Sequence, residues 1–317
     1  MPSPRSLAEA HLDTICNRCT AAGMLVGSTV EKEWSVEAEV SDGASKAKVV
    51  VWFNAKGKLT PKVQGKKHPF TELVKLQLHG DEHLRSDFLP ERVTQWIGVD
   101  ESGKGDYFGP MTAAGVLLTP ESLLRLRPLL LRDSKEINAA GIRTAAKEIR
   151  TICAGQFAVV TVVPARYNAF MEESSFGKNS QRILAWMHAR VIENLLEEHE
   201  DVAHAICDKF GNEAVIERAL MKKGRGITVH QHVRAEADPA VAAASILARD
   251  EFVRRMAQLE DKAGCRLPLG ASDEKGILQS AKHIVAAHGT GALRTFAKLH
   301  FKTTEKMAGK LGSGTLF

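Results

Sequence analysis

The stretch Trp96-Ile97-Gly98-Val99-Asp100-Glu101-Ser102-Gly103-Lys104-Gly105-Asp106 constrains the fold more than any other part of the chain. A short apolar run bounded by turn signals is a buried strand, and this one leads straight into two adjacent carboxylates and a glycine-broken turn. The strand is expected to end at Asp100, so that Asp100 and Glu101 both reach one point at its mouth although strand neighbours alternate in direction. A second apolar run, Ala203 to Cys207, ends on Asp208 in the same way. A carboxylate directly after a buried strand is costly unless it is paired, hydrogen-bonded or on a metal.

Further strands are expected at Met111 to Leu118 and Gln156 to Val163, and helices at Asn138 to Cys153, Gln181 to Glu198 and Val241 to Leu259. Strands in a run and then alternating with helices imply an α/β layer structure with a mixed sheet. Upstream, residues 1 to about 25 have helical periodicity. Trp34 to Val40 and Ala47 to Phe53 read as strands, and Leu59 to Val63 pairs back across Asn54-Ala55-Lys56-Gly57 as a hairpin. His79 to Pro90 is polar and reads as a linker. Between Ala44 and Thr71 lie seven lysines, Lys56, Lys58 and Lys62 among them, and no acid. A solvated face that discourages edge pairing explains lysines on a hairpin, but this excess favours a phosphate-contacting surface. The net charge of +5 points the same way.

No apolar run approaches the ~20 residues of a membrane helix, and residues 1–13 lack the apolar core of a secretory signal. The five cysteines are scattered apart from Cys16 and Cys19, with no second pair to complete a zinc site. A cytoplasmic location, a monomer, no membrane association and no protein partner are the expectations.

Carboxylates from several separate segments are what a site for Mg²⁺ or Mn²⁺ requires, because hard cations take oxygen ligands, water and substrate phosphate. Ala235-Glu236-Ala237-Asp238 offers a fourth source. Asp238 precedes Pro239, and helix N-capping accounts for it, which leaves Glu236 preferred. Gly98-x-x-x-x-Gly103-Lys104 resembles a phosphate-binding loop until Gly105 stands where Ser or Thr should hold the metal. Asp100 and Glu101 would also repel phosphate there, so that reading is set aside. Trp186 and His188 on an apolar helix read as core, and Ser245 in an alanine-rich stretch reads as tight helix packing with no catalytic role.

The run Asp100 to Pro110 (DESGKGDYFGP) closely resembles the signature of bacterial ribonuclease HIII. The related ribonuclease HII enzymes carry Arg at the position of Lys104. Companion matches are Asp133-Ser134-Lys135, Tyr167-Asn168, Leu184 to Ala189, Cys207 to Phe210, Ala242 to Arg249, Leu267 to Ser272 and Ala297 to Phe301. The resemblance spans roughly residues 94–303. It implies a ribonuclease H-like mixed sheet flanked by helices, at 94–305, preceded by a small α+β TATA-binding-protein-like substrate-binding domain at 1–85. It also implies two-metal hydrolysis of the RNA strand of RNA–DNA hybrids, leaving 5′-phosphate and 3′-hydroxyl ends. Asp100, Glu101 and Asp208 match the family's metal-binding carboxylates, while the register between Glu236 and Asp238 stays open. Gly103, Lys104 and Gly105 match the turn that senses the ribose 2′-hydroxyl, and Ser134 joins the substrate-binding set.

Overall fold

A computed structural model describes residues 2–66, 68–78, 86–130, 139–209, 213–289 and 291–311. Asp133-Ser134-Lys135, Phe210 and residues 79–85 of the expected linker lie outside them. The chain separates into two compact units, one of residues 1–94 with 120–134 and the other of residues 95–119 with 135–317.

The first unit holds α1 (Pro4–Ala21), an antiparallel sheet of β1 (Leu25–Glu31), β2 (Ser35–Ser41), β3 (Lys46–Phe53) and β4 (Leu59–Gln64) in that spatial order, and α2 (Pro69–Gln77). Strand alternation sends Val36, Ala38, Val40, Val49 and Val51 to one face, where Leu12, Ile15 and Cys19 of α1 and Phe70 and Val74 of α2 cover them. Helix α1 begins at the Ser3 cap and stops at Ala21, short of the expected residue 25, and the chain then enters β1. That strand was not foreseen, because its residues are almost all exposed and carry no apolar alternation.

The expected lysine-rich hairpin forms, with Phe53 opposite Leu59. Its charge is corrected by β2, a partner that the lysine count between Ala44 and Thr71 does not include. Lys48 Nζ lies 2.9 Å from Glu37 and Lys46 Nζ 2.7 Å from Glu39. Both lysines are thus compensated across the sheet. Among the described residues Lys56, Lys58 and Lys62 form no ion pair.

In the second unit β5 (Trp96–Ser102) and β6 (Met111–Leu118) lead into a five-stranded sheet. Helix α3 (Pro120–Leu130) follows β6 and is grouped with the first unit. Then come α4 (Ala139–Ile152), β7 (Phe157–Val162), α5 (Pro164–Glu172), α6 (Ser180–Leu196), β8 (His204–Asp208), α7 (Glu213–Ala219), β9 (Thr228–His232), α8 (Pro239–Ala263), α9 (Glu274–His288), α10 (Leu293–Phe296) and α11 (Lys302–Leu311). The spatial order β7-β6-β5-β8-β9 is antiparallel on the β6 side of β5 and parallel on the β8 side, the expected mixed sheet.

Helix α6 covers one face, with Ile97, Val99, Ala205 and Cys207 in contact with a core that includes Leu184, Met187 and Val191. Helix α8 covers the other. It comes so close that a Cβ on Gly98 would sit 2.3 Å from the backbone of Ala240 and Val241. No helix among the described residues is long and apolar enough to cross a membrane.

Candidate active site

Strand β5 does not stop at Asp100. It stays paired with β6 through Glu101 opposite Ala113 and Ser102 opposite Thr112. Ladder hydrogen bonds to β6 carry the polar residues along, and the period of two then separates the acid pair. Asp100 follows Gly98 onto the α8 face, where the Ser245 hydroxyl donates to its carboxylate. Glu101 follows Val99 toward α6, where His188 Nε2 lies 3.1 Å from Glu101 Oε2. The expectation that both acids escape the strand together is therefore corrected, and both Ser245 and His188 do more than fill space. A histidine that is 0% exposed among apolar neighbours signals this, because buried polar groups need partners.

In the parallel pair β5–β8, Val99 is opposite Cys207. Asp100 and Asp208, each the next residue of its strand, therefore emerge side by side. The backbone N–H of Ala235 donates to Asp208 Oδ1 at 3.3 Å. Burial first, and then the negative charges of Glu101, Asp208 and Asp100, push the Cys207 thiol up, so all three carboxylates lie near the end of β8.

The Ala235–Ala237 3₁₀ turn that meets Asp208 also carries Glu236, which is exposed. Asp238 has a different task. Its Oδ1 accepts from the N–H groups of Ala240 (2.8 Å) and Val241 (3.2 Å) and from Trp96 Nε1 (3.1 Å), and the residue is buried. It caps α8 and ties it to β5.

The Gly103–Gly105 turn is anchored from beneath. Gly103 has φ +89°, and a Cβ there would sit 2.2 Å from Pro110 O. Asp106 Oδ1 accepts from the Gly270 N–H at 2.7 Å, and the fully buried Lys298 donates to Gly109 O at 2.7 Å. Desolvation lowers the Lys298 pKa to about 7, opposed by the charge of Asp106. Lys104 is exposed above the turn, with Nζ 3.5 Å from Glu101 Oε1.

Burial, and then the charge of Glu101, raise Asp100 to about 6 from an ordinary 3.8, against the hydrogen bond from Ser245. For Glu101 burial acts upward too, but the hydrogen bond and charge of His188 and then Lys104 prevail and hold it below the usual range. Among the described residues no three His, Cys, Asp or Glu side chains close into a ready-made metal shell. The donors are nevertheless all carboxylate oxygens, and Asp100 is a half-buried acid whose ionisation a nearby cation would favour. That chemistry fits Mg²⁺ or Mn²⁺, which bind through few carboxylates plus water and substrate phosphate.

One consequence is measurable without activity. A carboxylate that is harder to ionise in the fold costs stability once it must ionise, so the loss accrues as pH rises from about 4 to about 6. The gap corresponds to at most about 3 kcal/mol. In EDTA, Asp100→Asn should therefore melt above the wild type at pH 8, with the advantage gone near pH 4. A lower melting point at pH 8 would refute this.

The family model described as Ribonuclease HII matches residues 97–304. The chain is 36% identical over 276 residues to a protein named Ribonuclease HIII from Protochlamydia amoebophila, covering 85% of this chain and 87% of that one. It is 39% identical over 247 residues to Ribonuclease HIII of Chlamydia trachomatis serovar L2, covering 77% of each. Among solved structures, Bst-RNase HIII in complex with Mn²⁺ superposes with a TM-score of 0.61 at 26% identity, over 95% of this chain and 96% of that one. Aquifex aeolicus RNase H3 matches in fold, with a TM-score of 0.52 at 22% identity over 92% and 96%.

Proposed function

The chain belongs to the ribonuclease HII family, among the ribonucleases HIII, and is a ribonuclease H enzyme; from that premise we propose that it cuts the RNA strand of RNA–DNA hybrids with two divalent metal ions. The observation that carries this reading is the placement of Asp100, Glu101 and Asp208 at the ends of the neighbouring parallel strands β5 and β8, beside a turn that exposes Lys104 and Gly105. Asp100, Glu101 and Asp208 hold the metals. Glu236 is the fourth carboxylate in preference to Asp238, whose Oδ1 already accepts three hydrogen bonds at the base of α8. When bound, the metal pair lowers the pKa of a water and stabilises the departing oxygen.

The protein's own groups do the positioning. Ser245 and the Ala235 N–H fix Asp100 and Asp208, so the pair is oriented before substrate arrives. Lys104 supplies positive charge for a phosphate next to the carboxylates. Water attacks phosphorus and the bond to the 3′-oxygen breaks, leaving 5′-phosphate and 3′-hydroxyl ends. The N-terminal unit acts as a substrate-binding domain, with Lys56, Lys58 and Lys62 contacting phosphates without regard to sequence. Ser134 belongs to the same substrate-binding proposal.

Gly105 offers a sharp test of the role of the turn. A Cβ there meets nothing within 4 Å and the backbone is not left-handed, so the fold has no need of glycine. A need from outside remains, namely close approach to a ribose whose 2′-hydroxyl marks RNA. Gly105→Ala should melt within about 1 °C of wild type, because surface changes rarely exceed ~0.5 kcal/mol. It should nonetheless cleave a hybrid at least about 10-fold more slowly, the rate equivalent of one lost hydrogen bond. Products from the wild type should carry 5′-phosphates sensitive to phosphatase. Unchanged cleavage by Gly105→Ala would remove the turn from recognition, and 5′-hydroxyl ends would refute the proposed bond breakage.

A further inference from the structure

Helix α6 is seated on the sheet by a contact that leaves little freedom. Gly115 of β6 lies under Val191, where a Cβ would come within 2.4 Å of Val191 Cγ1. Gly115 pairs with Val99, and the next inward-facing row of the same two strands is Ala113 with Glu101. Three residues before Val191 on the helix stands His188, and residues three apart share a face. The packing of α6 thus delivers an imidazole to Glu101, with no part played by metal or substrate.

The surroundings make this placement costly unless it is used. His188 is 0% exposed, and Leu184, Ala185, Met187, Ala189, Val191 and Ile192 around it are all buried. An apolar residue would fill this space without the desolvation of a ring nitrogen. Glu101 is 13% exposed, and its two oxygens have different neighbours. Oε2 faces His188 at 3.1 Å and Oε1 faces Lys104 at 3.5 Å. The carboxylate is therefore gripped on its inner oxygen by a buried group and left with its outer oxygen on the side of the Gly-Lys-Gly turn.

We propose that His188 is a positioning residue, donating its Nε2–H to Glu101 Oε2 so that Oε1 is held toward the mouth of the site as a metal ligand. This rests on the reading of Glu101 as a metal-binding carboxylate. It assigns to a helix-borne histidine the job that carboxylates and carbonyls do for metal-bound histidines elsewhere, fixing the ligand's orientation from behind. The geometry requires a donor at the reach of Nε2, so an amide of the right length can replace the ring and a shorter one cannot.

The test uses the full chain at pH 8 and Mn²⁺ as probe, with binding followed by the electron paramagnetic resonance of free Mn²⁺ and, separately, by the Mn²⁺ concentration for half-maximal cleavage. His188→Leu and His188→Asn should each weaken Mn²⁺ binding about 10- to 100-fold, the usual effect of losing a ligand-orienting partner. His188→Gln, which brings an N–H to the position of Nε2, should stay within about threefold of wild type. Hybrid binding in EDTA should be unaffected in all three. Mn²⁺ affinity within threefold of wild type for both Leu and Asn would overturn the proposal, leaving His188 a core residue. Equal weakening by Gln and Asn would overturn it too, because reach would not matter. A wild-type chain that neither binds Mn²⁺ nor cuts the hybrid would instead refute the underlying metal-site reading. If Leu does not fold, the Gln and Asn pair alone decides.

Discussion

Asp208→Asn is expected to lose hybrid cleavage by at least about 10³-fold while binding the hybrid in EDTA within about threefold of wild type. The substitution keeps the shape of the side chain and an oxygen for the Ala235 N–H at 3.3 Å, so the end of β8 has no reason to move. It removes a negative charge from the group that faces Asp100 across the parallel strand pair. A metal is worth several kcal/mol of transition-state stabilisation, and each 1.36 kcal/mol is a factor of ten in rate, so misplacing one accounts for the expected loss. On the proposed reading, binding rests on phosphate contacts elsewhere and would be helped slightly by one fewer negative charge. Single-turnover cleavage and filter binding on the same preparations separate the two effects. Loss of binding together with cleavage, in a variant whose melting point is unchanged, would contradict the assignment of Asp208 to chemistry alone.

Gly98→Ala should strongly destabilise the catalytic unit. The added Cβ would lie 2.3 Å from Ala240 C and Val241 N and 2.5 Å from Ala240 Cβ. Two of those atoms are backbone, so no side chain can swing aside, and the first turn of α8 must lift from the sheet. That turn is pinned by Asp238, which caps it and accepts from Trp96, and the same helix brings Ser245 to Asp100. Overpacking a tight core costs about 1–3 kcal/mol and occasionally more, and a backbone contact places this case at or beyond the upper end. At about 2–4 °C per kcal/mol for a unit of this size, the melting temperature should fall by about 10 °C. Amide exchange at Ala240 to Ala244 should accelerate before the rest of the sheet. A melting temperature within 2 °C of wild type would show that α8 does not sit this close to β5.

The parts of this molecule legible in the sequence are those whose cause is local. The apolar runs before Asp100 and Asp208 announce strands with acids at their ends, and the helical periodicity of α4, α6 and α8 places each within a few residues. Asp238 before Pro239 announces a helix cap, and the structure shows that cap with its hydrogen bonds. What could not be read depends on partners distant in the chain. The length of β5 is set by β6, whose ladder carries Glu101 and Ser102 past the expected end. Strand β9 (Thr-Val-His-Gln-His) has no apolar alternation and exists because β8 offers it an edge. The compensation of Lys46 and Lys48 comes from β2. The pairing of His188 with Glu101 spans 87 positions, so a histidine in an apolar helix looked like core until its neighbour was known.

The most direct test of the central claim is incubation of the full chain with an end-labelled RNA–DNA hybrid, and with matched duplex RNA and duplex DNA, in Mg²⁺, Mn²⁺ or EDTA. Cutting confined to the RNA strand of the hybrid, present with metal and absent with EDTA, is the predicted result. Tight, salt-sensitive binding of the hybrid with no cutting in either metal would contradict the account and reduce the carboxylates at the ends of β5 and β8 to structural features.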